Sequence, residues 1–285
     1  MSGKDYFVEN KVYYSDSILF KFNLQGSKLL DNIHEGHELK ANTPVSWYEI
    51  PPEIHEYKCK GDIRVEEGAD VRIGDLLCTY KSFFRKKEIV SEVNGVVERI
   101  EDKVIFIKEF IESEKKAPLV PFDATIVTID DDFILLRFSG TIINLFGVKG
   151  QSVLGDLEYI SSSELQSKEA SHFSLKDKIV VLDSAHQQSY PMLSTIGAKG
   201  IITNSLDYNL YNDIIILAVP IGIISGFGAL TEDDVLVKYL EDKKGVKVWF
   251  DCGYNRLIIP DKEKPAWIEN YKFDLKKVGI VKNED

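Results

Sequence analysis

The chain has 285 residues, 44% of them hydrophobic and 28% charged, enough to bury one large core or two smaller ones. A formal net charge of -11 and a pI near 5.1 exclude broad attraction to a phosphate backbone, so no nucleic-acid partner is expected. Cys59, Cys78 and Cys252 stand far apart without metal-finger spacing, and Met1–Tyr6 has no apolar signal core. Both observations predict reduced thiols in a cytoplasmic protein.

In chain order, Phe7–Tyr14 and Ile18–Leu24 predict a β-hairpin turning at Ser15-Asp16-Ser17. His34 and His37 are spaced to share a helical face, but Gly36 interrupts any helix and no further Cys or His ligand is near. They read as loop histidines, and no metal site is expected. Pro51-Pro52 marks a boundary, because proline cannot continue a strand ladder.

Between 58 and 108 the informative residues are Val65, Gly68, Asp70, Val71 and Gly74-Asp75-Leu76-Leu77, followed by Ile89–Ile100 with Asn94-Gly95. Gly68 and Gly74 suit turns that other residues avoid, Asn94-Gly95 is a tight-turn dipeptide, and the valines and leucines offer apolar faces to a small β core. This segment resembles a biotinyl/lipoyl-like domain, the barrel-sandwich hybrid. The resemblance implies a carrier lysine at an exposed hairpin tip. Counting back from Gly95 by that family's spacing lands near Phe84, while Lys86 and Lys87 lack Met or small neighbours. A structural or docking role is therefore expected, with a biotin/lipoyl-type carrier as an alternative.

Val104–Ile107 predicts a short strand and 112–118 an exposed connection. Ala124–Ile129, Phe133–Phe138 and Thr141–Phe146 predict three strands, with turns at Asp130-Asp131-Asp132 and Ser139-Gly140. Residues 147–157 faintly repeat the earlier Gly-Asp-Leu phrase, and 161–169 read as a linker or surface helix.

From Lys178 strands and helices alternate. Ile179–Leu182, Ile201–Thr203 and Ile214–Val219 predict buried strands. Helices are expected over 187–196, ending at Gly197, and from Thr231 as N-cap, with Val246–Phe250 and Leu257–Ile259 as later strands. Ile214–Leu230 is uncharged, but Pro220 and glycines 222, 226 and 228 argue against a membrane span.

The expected fold is thus α/β plus all-β. The divisions are an N-terminal β segment (1–50), β domain(s) with the hybrid motif (51–165), a Rossmann-like parallel-sheet domain (170–262) and a tail (263–285). The 58–260 arrangement resembles a bacterial family with no established reaction, in which a hybrid-type β domain precedes a small Rossmann-like domain.

Two loops are candidate ligand sites. Ser225, Gly226, Phe227, Gly228 and Thr231 form a glycine-bearing turn before a helix, where backbone N–H groups can meet an anion. Neither standard nucleotide fingerprint is present, however, and Glu232 and the next two aspartates already occupy the helix start. Asp183, Ser184 and His186 follow a strand, where α/β sheets place reactive groups, but no nucleophile elbow surrounds Ser184. Arg256 lies close enough in sequence to lower the Cys252 thiol pKa, and Asp251 opposes it. No catalytic residue is assigned and no cofactor is named. The expected function is a non-catalytic binding or assembly module docking a protein or small ligand. The alternative is an enzyme or enzyme subunit acting on a small anionic metabolite or nucleotide at 225–231.

Overall fold

The computed structural model describes residues 11–24, 26–82, 85–110, 115–167, 174–185, 188–214, 219–228, 230 and 233–271. The chain divides into two compact units. One comprises Met1–Asn23, His34–Thr43 and Val120–Asp285, the other Leu24–Ile33 and Pro44–Leu119.

The strands of the first half are β1 (Val12–Asn23), β2 (Lys28–Leu29), β3 (Glu38–Leu39), β4 (Ser46–Glu49), β5 (Ile54–Lys58) and β6 (Asp62–Ile63). They continue as β7 (Asp70–Val71), β8 (Leu76–Ser82), β9 (Arg85–Val90), β10 (Gly95–Glu101), β11 (Val104–Glu109) and β12 (Lys115–Lys116). Then come β13 (Ala124–Ile129), β14 (Phe133–Asn144), β15 (Gly147–Lys149) and β16 (Val153–Ile160). Helices now alternate with strands: α1 (Ser162–Ser167), β17 (Lys178–Ala185), α2 (Ser189–Ile196), β18 (Gly200–Leu206), α3 (Tyr208–Asp213), β19 (Ile221–Phe227) and α4 (Asp234–Asp242). β20 (Lys247–Asp251) and β21 (Arg256–Pro260) close the series.

The first unit is built on one mixed sheet of 11 strands, ordered β15-β19-β18-β17-β16-β20-β21-β14-β13-β3, with β1 lying along β14. Only β16 to β19 run parallel to one another; β15, β20 and the remainder pair antiparallel. The protein is predominantly β, 51% strand against 15% helix. This corrects the expected Rossmann-like domain. The parallel strands are one stretch of a larger mixed sheet, and the helices beside them are short. The alternation of strands and helices is a local pattern, and it says nothing about what pairs beyond the outer strands.

Period-2 alternation gives the central strands two apolar faces. Leu157, Ile179, Val181, Ile202 and Ile224 face α4 through Leu236, Tyr239 and Leu240. Ile160, Val180, Leu182, Ile201 and Ile221 face the other way, toward Leu165 of α1 and Leu193 of α2. Phe250 is fully buried. Its ring lies over Gly222, where an added Cβ would come within 2.9 Å of it. Gly222 is therefore a core residue of β19. The strand starts later than expected, at Ile221, and runs through the stretch read as a glycine loop; residues 215–218 lie outside the described residues. α2 ends at Gly197, whose φ of 95° needs the left-handed region that glycine enters freely.

Two further expectations change in this unit. Ser15-Asp16-Ser17 is not a hairpin turn: β1 is continuous, and the polar triplet forms a register irregularity against β14 between Ser15 and Ile18. Ser139-Gly140 is not a turn either, since β14 passes straight through it. Gly140 allows close approach of β21, because a Cβ there would sit 2.5 Å from the Ile259 carbonyl oxygen. A buried carboxylate ties this region together: Asp261 accepts from Thr141 Oγ1 at 2.6 Å, from Tyr239 OH and from Lys243 Nζ.

The second unit has three small sheets, β5-β11-β10-β7, β12-β4-β2 and β6-β8-β9. Val71, Leu77, Val97, Ile105 and Ile107 fill its core, together with Cys59 and Cys78, which are joined in a disulfide with Cα atoms 6.1 Å apart. The expected reduced pair is thereby corrected; a separation of 19 residues carries no sign of pairing, which arises from strand packing. The expected barrel-sandwich hybrid is also corrected. The strands of this unit, which covers 24–33 and 44–119, pair into three separate small sheets. The Gly-Asp-Leu phrase reports only local turns, at Gly68 (φ 82°) and Gly74 (φ 93°). Lys86 and Lys87 lie within β9, paired with Lys81 and Tyr80, while Phe83 and Phe84 lie outside the described residues.

Candidate functional site

Register places both sequence-derived candidates on the carboxyl rim of the parallel strands. Ser184 of β17 pairs with Ser205 of β18, and Ser205 pairs with Gly226 of β19. The ladder shifts between Thr203 and Ser205, so β19 carries an extra residue beside Ser225. Asp183, Ser184, Ser225, Gly226, Phe227 and Gly228 therefore share one rim. His186 and Thr231 lie outside the described residues.

The polar groups on this rim are turned inward. Asp183 Oδ1 accepts from the Ser162 and Ser184 amides at 2.7 and 2.6 Å, which commits it to the start of α1. Ser225 Oγ donates to Asn204 Oδ1 at 2.5 Å, and Asn204 Nδ2 donates to the Leu230 carbonyl at 3.1 Å. The Gly228 amide donates to Leu206 O at 3.0 Å. Gly226 (φ 154°) and Gly228 (φ 98°) adopt conformations that L side chains rarely take. The N-cap of α4 is Asp233, in place of the expected Thr231. Its carboxylate accepts from the Val235 and Leu236 amides at 3.0 and 3.1 Å, and an anion there would meet this negative charge.

What the rim does expose is aromatic. Phe227 is ringed by Phe146, Tyr208 and Tyr211 at centroid distances of 5.4, 5.1 and 5.3 Å. Phe146 remains 49% and Tyr208 56% accessible. Lys149 stands 4.2 Å from the Tyr211 ring centroid and donates to the Tyr211 carbonyl. Two features of the topology assemble the group: β15 pairs along β19, which places Phe146 beside Phe227, and α3 opens with Tyr208 directly after β18. The sequence reading missed Tyr208 and Tyr211. Their spacing of three on a short helix was the available signal.

Behind the rim lies Lys11, 3% exposed, whose Nζ donates to the Ile224 carbonyl. Burial pulls its pKa down to about 7. Cys252 is not activated: burial, and then the Asp251 charge, push its thiol up to about 12. Arg256 instead donates to Asp251 Oδ2 at 2.8 Å. The His34 and His37 rings stack 5.0 Å apart.

A separate cleft of about 310 Å³ is lined by Lys40, Arg137 and Lys262, with Asp16, Glu38 and Asp123 among its acids. Asp123 binds Lys262 at 3.2 Å and Lys40 at 3.5 Å. The Ala41 amide, followed by those lysines, holds its carboxyl below the usual range against the opposing effect of burial.

Fold and rim together define a β-rich protein with an exposed aromatic group at one rim of its parallel strands. No family model matches the chain, and neither a curated protein nor a solved structure is significantly similar to it. The resemblances to biotinyl/lipoyl-like domains and to a bacterial hybrid–Rossmann family are thus without support from comparison as well as from the fold. Among the described residues no helix is long and apolar enough to cross a membrane.

Proposed function

We propose that this protein is a non-catalytic binding module that docks a protein partner on the aromatic rim of its large sheet. The observation that supports this reading is the exposed group centred on Phe227. Half-exposed aromatic rings held rigidly by one another offer contact area at small entropic cost, and such clusters mark interaction surfaces. Among the described residues, Asp183, Asn204 and Ser225 are engaged inside the fold, which suits this part of the rim to contact more than to bond-making. Phe146→Ala and Tyr208→Ala remove exposed rings without opening the core. The expected result is a defined partner retained by the wild-type protein and lost by the double variant, with unchanged melting. Turnover of a metabolite by wild type and double variant alike, with no partner distinguishing them, would reject the proposal.

A second reading is a small anionic metabolite bound at Arg137 in the cleft it shares with Lys40 and Lys262, where Asp123 already pairs both lysines and Asp16 and Glu38 also line the walls. Thermal stabilisation by such a ligand, abolished in Arg137→Ala, supports it. A cytoplasmic placement belongs with the module reading. The Cys59–Cys78 bridge opposes it, because disulfides persist mainly in oxidising compartments. Counting thiols on protein quenched with alkylator directly from its host decides the compartment.

A further inference from the structure

In the second unit, β5 and β11 bring together three side chains that sequence spacing does not connect. His55 pairs with Ile107 across the ladder and Ile54 with Lys108, and the Glu109 amide donates to Glu53 O at 3.0 Å. Glu53 therefore lies opposite Glu109, and His55 follows two residues along the same face. One ligand atom from each of Glu53, His55 and Glu109 lies within 4.8 Å of the others. His55 Nε2 is 3.2 Å from Glu109 Oε2.

This face is the inward one. Ile107, opposite His55, is fully buried in the core, and the triad sits where that core runs out. His55 and Glu109 side chains are 28% and 27% exposed. Glu53 is exposed while His55 and Glu109 are part-buried and hydrogen-bonded to each other, and two carboxylates directly opposed across strands repel each other. Among the described residues neither glutamate has a lysine or arginine partner. We propose that Glu53, His55 and Glu109 bind a divalent first-row transition cation. One imidazole nitrogen and two carboxylate oxygens form a mixed set suited to zinc, while calcium and magnesium prefer oxygen ligands alone. Three protein ligands leave the solvent side open to water or to a donor from another molecule. The arrangement is independent of the aromatic rim, which belongs to the other unit.

The test is calorimetric titration of Zn²⁺ into the full chain after removal of metal by a chelator. One equivalent is expected to bind. His55→Ala and Glu109→Gln should each weaken binding at least about tenfold, since even outer-sphere partners of metal ligands are worth that much. His34→Ala/His37→Ala should leave binding unchanged, and excess Mg²⁺ should not compete. Co²⁺ substitution should give a visible spectrum that His55→Ala abolishes. Circular dichroism of each variant checks the fold, and Glu53→Gln supplies a further ligand variant should one of them unfold. Binding that survives both His55→Ala and Glu109→Gln overturns the proposal. So does an absence of binding, the outcome expected if these inward charges only blunt β5 as an edge strand.

Discussion

Reduction of the Cys59–Cys78 bridge is expected to destabilise the second unit by about 3 kcal/mol. The two cysteines are 19 residues apart. For a loop of that size the chain-entropy relation removes about 11 cal/mol/K from the unfolded ensemble, or roughly 3 kcal/mol at 25 °C. Reduction is the cleaner perturbation, because both sulfurs are buried and two thiols nearly fill the same space. Alanine at either position would add a cavity to the lost constraint. Urea unfolding with and without reductant should separate the midpoints by about 1–3 M, given slopes of about 1–3 kcal/mol/M. Trp47 belongs to this unit and Trp249 and Trp267 to the other, so a Trp249→Phe/Trp267→Phe background reports on the bridged unit by fluorescence. Alkylation in denaturant without reductant should label one cysteine, Cys252, of the three. Three labelled thiols, or midpoints that coincide, would refute the reasoning.

Phe250→Ala should cost about 3–5 kcal/mol, because it empties a fully buried aromatic site beneath Gly200 and Gly222. Gly222→Val should destabilise comparably by driving a side chain into that ring, and unchanged chemical denaturation in both variants would contradict the packing described. Lys11 links stability to pH. Its folded pKa is lowered to about 7 from 10.5, so between these values the unfolded chain holds a proton that the folded one does not. Stability should therefore rise by about 2 kcal/mol from pH 7 to 9 and flatten below pH 7, where both states are protonated. Lys11→Met should be more stable at pH 7 and lose the slope; a variant with the wild-type slope would show that another group titrates.

Turn chemistry and residue periodicity were legible from the chain alone. Gly197 closing α2, the aspartate turn between β13 and β14, and the buried runs of β17 and β18 all follow from neighbours a few residues apart. The meeting of the 183–184 and 225–228 segments on one rim came from the register of β17 to β18 and of β18 to β19. Their inward-turned polar groups were not legible from the chain either, because Asn204 and Ser162 lie on other elements.

Local pattern misled where the same residues serve two purposes. Gly140 and Gly222 read as turn residues, yet each lies in a strand at a place where a backbone or a ring presses close. Ser15-Asp16-Ser17 read as a hairpin tip and is an irregularity within one strand. The triad of Glu53, His55 and Glu109, the bridge between Cys59 and Cys78, and the rings around Phe227 depend on which strands stand side by side. The amino-acid order determined where strands and helices form, because backbone preference and apolar period act over a few residues. Tertiary structure alone decided that four parallel strands belong to a mixed sheet of 11, because strand pairing joins hydrogen-bonding groups far apart in the chain, and no local preference encodes the partner.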